Sequence, residues 1–262
     1  MVQLKDDERI DYLLADHKRR IIQSQSVFSF SIDAVLLAHF TYLPINRGKI
    51  LDLCTGNGVI PLFLSKQSRV PMTGVELQER LYDMAVRNVK LNQLEDQITM
   101  LNEDLIGLAK KMGYHRFDLV TCNPPYFKTI DLDKRNNNEH LAIARHEIYC
   151  TLDDVLKSCS ELVKSGGKVS IVHRPNRLAE IFEAARKYKL EPKRMQLVHP
   201  KEGREANIVL IEFIRDGSPE MKVLPPIYIH DEDGNYTEKV AKILYGEEGS
   251  RLHGPNSKKF RL

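Results

Sequence analysis

The sequence predicts an α/β fold in which helices cover both faces of a mostly parallel sheet. From residue 49 onward, short apolar runs alternate with segments of helical periodicity, which is the pattern of parallel strands joined by helices. Near the end of the chain the pattern changes, because only the loop 201–205 separates the apolar runs 193–200 and 206–217. Two strands without a helix between them form a hairpin, so we expect the last strand to be antiparallel.

Five strands are predicted ahead of that hairpin, each a short apolar run bounded by polar or turn-forming residues. They cover residues 49–54, 72–77, 97–101, 117–122 and 168–173. The segments with helical periodicity cover residues 58–67, 78–94, 151–167 and 177–190. In the third of these helices Thr151 is the predicted N-cap, and Gly166 with Gly167 is predicted to end the helix.

The length of 262 residues allows one large domain with appendages, and 42% hydrophobic with 29% charged residues is a globular composition. We expect an N-terminal extension over residues 1–48, a main domain over residues 49–246 and a disordered tail over residues 247–262. The tail is assigned because it has few apolar residues. In the extension, residues 6–14 and 33–43 are amphipathic, which predicts a short helical extension.

Composition also limits the location and the partners of the protein. The N-terminus is charged from Lys5 onward, and no stretch approaches the length of a membrane helix, so a cytoplasmic protein is predicted. The four cysteines form no C-x-x-C pair and the histidines show no ligand spacing, which favours reduced thiols and no metal site. A net charge of +3 does not identify a nucleic-acid partner, although basic residues cluster at 17–20, 193–204 and 258–261.

A glycine loop follows the first predicted strand. Asp52, Gly56 and Gly58 form the pattern D-x-x-x-G-x-G, and the glycines allow a tight turn and the close approach of a ligand. A dinucleotide fingerprint requires Gly or Ala at the sixth position of G-x-G-x-x-G, but that position is Pro61. The loop therefore favours a ligand without a pyrophosphate.

Acidic residues follow successive strands, at the sheet edge where ligands bind in such folds. Asp52 suits an ammonium group, Glu76 can accept the hydroxyls of a ribose, and Asp104 can accept the amine of an adenine. S-adenosylmethionine carries all three groups and no phosphate, so it is the predicted cofactor. The neighbouring residues in the predicted cofactor site are Thr55, Asn57, Leu77 and Leu105.

The fourth strand is followed by Asn123, Pro124, Pro125 and Tyr126, which we call the acceptor motif. An amine on an aromatic ring is a poor nucleophile, because its lone pair is delocalised into the ring. The side-chain oxygen of Asn123 and the backbone carbonyl of Pro124 can accept its hydrogens and stabilise the developing charge. The prolines fix the backbone, and the ring of Tyr126 offers a surface on which a planar substrate stacks.

The segments "DLCTGNGVIPL", "GVELQERLYDMA" and "CNPPYF" together resemble class I methyltransferases that use S-adenosylmethionine to modify amino groups. More narrowly they resemble the bacterial adenine-N6 methyltransferases of valine tRNA, which act on the adenine 3′ of the anticodon. The resemblance runs from about residue 20 to about residue 215. It implies a Rossmann-like sheet of seven strands with an antiparallel last strand. It also implies that Asp33, Phe30 and Asn123 contact the cofactor.

The same resemblance suggests tRNA as the substrate and leaves alternatives open. The loop 127–147 carries four basic residues and could hold RNA phosphates. The substrate-binding residues predicted beside Tyr126 are Phe127, Lys128, Arg135 and Arg145. A protein methyltransferase of glutamine amides shares the motif, as does a guanine-N2 methyltransferase of ribosomal RNA. Methylation of DNA adenine would usually require a separate recognition domain, for which no stretch is long enough, and the intact acceptor motif argues against a non-enzymatic cofactor-binding scaffold. The oligomeric state is not predicted.

Overall fold

A central sheet of nine strands dominates the computed structural model, which describes residues 2–13, 16–27, 31–43, 46–126 and 150–249. Its strands are β3 (Ile50–Leu53), β4 (Met72–Glu76), β5 (Ile98–Asn102), β6 (Phe117–Cys122), β7 (Val163–His173), β8 (Leu190–Lys201), β9 (Ile208–Arg215), β10 (Lys222–Val223) and β11 (Ile227–His230). Strands β1 (Glu8–Leu13) and β2 (Asp16–Ser24) pair separately. We call this pair the N-terminal hairpin.

Seven strands of the central sheet, in the order β8-β9-β7-β6-β3-β4-β5, form the predicted arrangement. Strand β9 is antiparallel to both β7 and β8, whereas β7, β6, β3, β4 and β5 are mutually parallel. The α/β fold and its antiparallel last strand are therefore confirmed. The two short strands β10 and β11 were not predicted, and both pair in parallel with β8.

Helices cover both faces of this sheet, and each face has its own hydrophobic core. The helices are α1 (Ile32–Phe40), α2 (Val59–Leu64), α3 (Glu79–Leu91), α4 (Leu108–Met112), α5 (Leu152–Leu162), α6 (Leu178–Lys187) and α7 (Glu238–Gly249). Buried side chains of α1, α2, α3 and α7 belong to one core, and those of α4, α5 and α6 belong to the other. The ends of the parallel strands are thereby left accessible at one edge of the sheet.

The helical prediction for the extension is correct for α1 and wrong for residues 6–13, and Leu14 lies outside the described residues. Strand β1 occupies residues Glu8–Leu13 and pairs with β2. The hairpin packs on α3 through ion pairs, because the buried carboxylate of Glu8 meets the guanidinium groups of Arg80 at 2.9 Å and Arg87 at 2.5 Å. These tertiary partners favour the extended conformation over the local helical pattern.

The predicted glycine end of the third helix is also wrong. Helix α5 begins after Thr151, whose capping box with Asp154 confirms that part of the prediction. The helix ends at Leu162, however, and Gly166 and Gly167 lie inside β7. A Cβ atom at Gly167 would lie 3.1 Å from the carbonyl oxygen of Asp118 on β6, so this glycine permits close strand contact at a register shift.

The C-terminal part of the main domain contains more structure than the sequence indicated. After β9 the chain forms β10, β11 and α7. Helix α7 is interrupted at Gly246, whose φ angle is 72°, and the short stretch that follows it up to Gly249 covers the first three residues of the predicted tail. Residues 250–262 lie outside the described residues. None of the described helices has the length and apolar character that crossing a membrane requires.

Candidate cofactor and amine-acceptor site

The glycine loop, residues 54–58, follows β3 and has positive φ angles, which residues with a side chain rarely adopt. Cys54, Gly56 and Gly58 have φ angles of 55°, 57° and 86°. A Cβ atom at Gly58 would lie 2.8 Å from Cε of Met100, so a side chain there would collide with the core. A Cβ atom at Gly56, in contrast, would have no other atom within 4 Å. The backbone of Gly56 therefore faces open space, where a ligand can approach it closely.

Asp52 lies at the base of this loop and is fully buried. Its carboxylate accepts hydrogen bonds from the hydroxyls of Thr55 at 2.5 Å and Thr121 at 2.6 Å. Burial raises the pKa of Asp52 to about 7, and the two threonine hydroxyls partly oppose that rise. Asp52 thus holds the loop through Thr55, and its predicted contact with a cofactor ammonium stays a prediction.

Glu76 ends β4 and faces the glycine loop from the neighbouring strand. One carboxylate oxygen accepts the backbone N–H of Gly56 at 2.9 Å, and the other accepts that of Gln78 at 2.9 Å. Burial raises the pKa of Glu76, while these backbone N–H groups favour its ionised form. Each carboxylate oxygen can accept a second hydrogen bond, so Glu76 keeps the capacity to bind ribose hydroxyls beside the loop.

Two exposed apolar side chains flank the ends of β4 and β5. Leu77 is 41% exposed and Ile106 is 49% exposed, and an adenine ring is the kind of surface that would cover them. Asp104 is exposed and its carboxylate accepts the backbone N–H of Ile106 at 2.8 Å. Leu105 is buried in the core on the α5 side, and its predicted contact with the cofactor stays a prediction. Ile106 was not predicted, because its position beyond the strand has no distinguishing pattern.

The N-terminal hairpin contacts the glycine loop through buried amides. The side chain of Asn57 donates to the carbonyl oxygen of Ile22 on β2 at 3.1 Å. Asn88 on α3 accepts the N–H of Ile22 at 2.6 Å and donates to the carbonyl oxygen of Asn57 at 2.9 Å. Asn88 therefore joins the hairpin, α3 and the loop, a role that its position within a helical repeat could not indicate.

The acceptor motif follows β6 directly beside this loop. Strand β6 pairs with β3 so that Cys122 lies opposite Leu53, and Asn123 and Cys54 are the residues that follow. Pro124 is buried, whereas Asn123 is half-buried. The motif is also held from the segment after β7, because the Arg177 guanidinium donates to the backbone carbonyl of Tyr126 at 3.4 Å.

Tyr126 makes more contacts than its predicted stacking role requires. Its hydroxyl contacts the side-chain oxygen of Asn123 and lies 2.7 Å from a carboxylate oxygen of Asp33. The edge of its ring meets His173 with centroids 5.3 Å apart, and the Arg174 guanidinium lies 5.2 Å from its centroid. Burial and the neighbouring Asp33 carboxylate raise the pKa of Tyr126, so its hydroxyl keeps its proton.

Asp33 has several protein partners in the structure, and its predicted contact with the cofactor stays a prediction. It lies in the first turn of α1 and is 7% exposed. Besides Tyr126, its carboxylate accepts the hydroxyl of Ser31 and the backbone N–H of Ala34 at 3.0 Å. Burial raises the pKa of Asp33, and these hydrogen bonds partly oppose the rise. The structure thus connects Asp33 with the acceptor motif.

His173, at the end of β7, is a site residue that the sequence did not indicate. It is 1% exposed, and its Nδ1 atom accepts the backbone N–H of Arg174 at 2.8 Å. The proton of the neutral ring is therefore on Nε2, which has no hydrogen-bond partner in the part of the chain that the structure describes. Burial and the neighbouring arginines lower the pKa of His173 to about 3, so the ring is neutral.

Several predicted substrate residues lie outside the described residues. These are Phe127, Lys128, Arg135 and Arg145, and Phe30 of the predicted cofactor site does so too. Within the basic segment 193–204, Arg194 pairs with the buried Glu212 at 2.7 Å, and Lys193 and Lys201 donate to backbone carbonyls. Among the described residues, no group of three or more acidic, histidine or cysteine side chains could hold a metal ion.

Comparisons with known proteins agree with this geometry. The family model described as "Methyltransferase small domain" matches residues 18–188. A protein of Photobacterium profundum named tRNA1(Val) (adenine(37)-N6)-methyltransferase is 26% identical over 79% of this chain and 85% of its own length. A protein of the same name from Porphyromonas gingivalis is 28% identical over 74% and 76%.

The fold also agrees with a solved structure. A crystal structure described as that of a predicted O-methyltransferase from Agrobacterium tumefaciens superimposes with a TM-score of 0.63 at 22% identity. The superposition covers 82% of this chain and 96% of that one. At this level of identity the likeness supports the architecture of the sheet and its helices.

Proposed function

Since the chain belongs to the methyltransferase small domain family, we propose that it transfers a methyl group from S-adenosylmethionine to N6 of an adenine in tRNA. The observation that carries the proposal is the register of β3 and β6, in which Leu53 lies opposite Cys122. The glycine loop and the acceptor motif begin at the next residues of these paired strands. This register supports the transfer of a methyl group from a cofactor at the loop to an amine at the motif.

On the cofactor side, each feature of the site would contact a different part of S-adenosylmethionine. S-adenosylmethionine supplies the methyl group on a sulfonium, which a neutral amine can attack. The open backbone face of Gly56 and the unsatisfied acceptor capacity of Glu76 fit a nucleoside. Leu77 and Ile106 would cover its adenine ring, and Asp104 would accept the adenine amine.

On the acceptor side, Asn123 and the carbonyl of Pro124 would accept the two hydrogens of the substrate amine. This draws the nitrogen lone pair out of conjugation and stabilises the positive charge that develops on the nitrogen. The attacking nitrogen is neutral, so no strong general base is required, and the proton leaves to water after transfer. The half-buried position of Asn123 is compatible with contact to a substrate.

tRNA is proposed as the acceptor because relatives covering most of this chain carry names that specify adenine 37 of a valine tRNA. Their identities of 26% and 28% leave the individual tRNA to experiment. An adenine in an anticodon loop is single-stranded, so its amine can reach a site that would exclude a paired base.

The proposal is tested by supplying radiolabelled S-adenosylmethionine together with unmodified total tRNA, ribosomal RNA or a protein extract. Nucleoside and amino-acid analysis then identifies the labelled product. We expect N6-methyladenosine in the tRNA pool and no label elsewhere. Methylglutamine in the protein extract, or N2-methylguanosine in ribosomal RNA, would overturn the choice of substrate and retain the cofactor.

A further inference from the structure

We propose that Asp33 is a positioning residue that acts through the hydroxyl of Tyr126 to turn the carbonyl oxygen of Asn123 toward the acceptor amine. The inference rests on the proposed function, because it concerns how the same site prepares its amine-binding oxygen. It is carried by the cluster in which the Tyr126 hydroxyl contacts both Asn123 and the Asp33 carboxylate. This cluster joins the start of α1 to the segment that follows β6. Asp33 and Tyr126 are 93 residues apart in sequence.

The number of protons in the cluster limits how it can be arranged. A tyrosine hydroxyl carries one proton and can donate it to one acceptor at a time. An ionised carboxylate is a stronger acceptor than a neutral amide oxygen, so Asp33 receives this proton when it is ionised. The oxygen of Tyr126 is then an acceptor, and the stable partner for it is the NH₂ group of Asn123 rather than the Asn123 oxygen.

This arrangement has a direct consequence for Asn123. An amide that directs its NH₂ group at Tyr126 directs its oxygen away from Tyr126. The amide oxygen and nitrogen of an asparagine are assigned from their hydrogen-bond partners, and ionised Asp33 supplies the partner that fixes the choice. The acceptor amine then meets an oxygen, which binds its hydrogens, and not an NH₂ group, which would repel them.

Protonation of Asp33 reverses the arrangement. A neutral Asp33 can donate to the Tyr126 oxygen, so the Tyr126 proton becomes available to the oxygen of Asn123. The Asn123 oxygen is then occupied, and its NH₂ group is directed at the substrate. We therefore expect turnover to rise with pH as Asp33 ionises. The pKa of Asp33 is raised by burial above its ordinary value of 3.8.

The groups around Asp33 and Tyr126 are consistent with this titration. Ser31 and the backbone N–H of Ala34 donate to Asp33 from the start of α1. The positive charge of Arg174, after β7, favours the ionised form of Asp33 and lies beside the Tyr126 ring. His173 meets the same ring and stays neutral, because its pKa is lowered to about 3. Asp33 is thus the member of this cluster whose charge changes.

The kinetic test uses Tyr126→Phe, which keeps the ring, and Asp33→Asn. We expect kcat to fall about 10-fold or more in each, as for a misdirected transition-state acceptor. The dissociation constant of S-adenosylmethionine and the KM for the acceptor should change less than about threefold. The rise of kcat with pH should disappear in Asp33→Asn. Asp52 and Glu76 also have raised pKa values, so this loss is what assigns the titration to Asp33.

A second tyrosine–aspartate pair supplies the matched controls. The hydroxyl of Tyr188 donates to Asp153 on the opposite helical layer, and no described hydrogen bond joins this pair to the acceptor motif. Tyr188→Phe and Asp153→Asn make the same chemical changes there and should leave kcat and its pH dependence unaltered. Wild-type turnover in Tyr126→Phe would overturn the proposal. So would Asp33→Asn with weakened cofactor binding and an unchanged kcat, because that pattern identifies a cofactor contact.

A measurement without substrate separates this inference from the proposed function. The side-chain amide signals of Asn123 are assigned in ¹⁵N NMR spectra by their loss in Asn123→Ala. We expect these signals to shift with pH together with the Asp33 carboxyl signal, and to stop doing so in Tyr126→Phe. Asn123 signals that do not shift when Asp33 ionises would overturn the proposal, even if the protein methylates adenine. Coupled signals would support it, even if the acceptor is another amine.

Discussion

Asn123 is the residue on which the proposed chemistry depends most directly, and it can be separated from cofactor binding. It is half-buried beside the glycine loop, and no described hydrogen bond joins it to that loop. We expect Asn123→Ala to bind S-adenosylmethionine nearly as well as the wild type. Turnover should fall by ~10²-fold or more, because an acceptor for the transition-state amine is lost. Calorimetry for binding and single-turnover methyl transfer measure the two quantities, and an equal loss of both would contradict this role.

Asp52 should make stability depend on pH. Its pKa is about 7 in the folded protein against an ordinary value of 3.8. The folded state therefore keeps a proton that the unfolded state loses between these values, and the stabilisation is present at low pH and is lost as pH rises through 7. Relative to Asp52→Asn, we expect the wild type to lose on the order of 4 kcal/mol at most between pH 4 and pH 8.

Urea unfolding of both proteins at several pH values measures that difference. Subtracting the two curves removes the contributions of Asp33, Glu76 and His173, since both proteins contain them. A difference in the free energy of unfolding that is constant from pH 4 to pH 8 would show that Asp52 does not titrate in this range.

The site residues that could be predicted from the sequence are those that lie at the end of a strand. Glu76 and Asn123 each follow an apolar run, and the order of the elements alone brings such positions to one edge. Asn88 and His173 could not be found in this way, because their roles depend on contacts across the fold. The hydrogen bond between Asp33 and Tyr126 could not be found in this way either, because it joins residues 93 positions apart, and the predicted contact of Asp33 with the cofactor stays a prediction.

Among the elements, the N-terminal hairpin is expected to support cofactor binding through Asn88. Asn88→Ala leaves the buried N–H of Ile22 and the carbonyl of Asn57 without this partner. We expect a loss of about 1–3 kcal/mol in the free energy of unfolding and weaker binding of S-adenosylmethionine, because the glycine loop loses its support.

Asn92 supplies the matched control for this prediction. It lies one turn further along the same face and hydrogen-bonds the N–H and the carbonyl of Arg20 on β2, but in an exposed position. Water can replace those hydrogen bonds, so Asn92→Ala should cost less than about 1 kcal/mol. Equal effects of the two substitutions on cofactor affinity would argue against a specific connection from the hairpin to the loop.

At the scale of elements, the sequence was informative wherever a local pattern and a tertiary contact favour the same conformation. Strand β6 matches its predicted range of 117–122, and the capping box at Thr151 marks the start of α5. The hairpin strand β1 was missed, because it is stabilised by ion pairs of Glu8 with Arg80 and Arg87, which are 72 and 79 positions away in sequence. The glycines in β7 were misread, because glycine ends helices and also permits close strand contacts.

At the scale of the whole molecule, the basic residues of the segment 193–204 have different roles, which the sequence did not distinguish. Arg194 pairs with the 3% exposed Glu212 and donates to the carbonyl of Phe40 at 3.0 Å. Arg194→Gln should therefore lower the free energy of unfolding by about 2 kcal/mol, because it removes the closer cationic partner of a buried carboxylate and leaves it with Lys168 at 3.9 Å. The half-buried Lys193 and Lys201 donate to backbone carbonyls and keep further N–H donors that can bind phosphates.

Salt dependence separates these two kinds of basic residue. If the segment 193–204 binds tRNA, replacing Lys193 and Lys201 by Gln should reduce the slope of log affinity against log salt by about 1 for each of these lysines that neutralises a phosphate. Thermal unfolding should change little in that double variant. An unchanged slope would exclude this segment from the tRNA interface.

The fold as a whole was predictable because alternating strands and helices leave few topologies that obey the right-handed crossover rule. The region after β9 was not, because β10 has two residues and β11 has four, which is too short for a reliable periodicity. The division into an extension and a main domain stays a prediction, although α1 of the extension packs in the same core as α2 and α7.

The measurement that tests the central claim most directly compares two transcripts of a valine tRNA. One has adenine at position 37, which the names of the relatives specify, and the other has guanine there. With purified protein and S-adenosylmethionine, we predict N6-methyladenosine at position 37 of the first transcript and no methyl transfer to the second. Equal methylation of both transcripts, or of neither under conditions where the protein binds S-adenosylmethionine, would contradict the account.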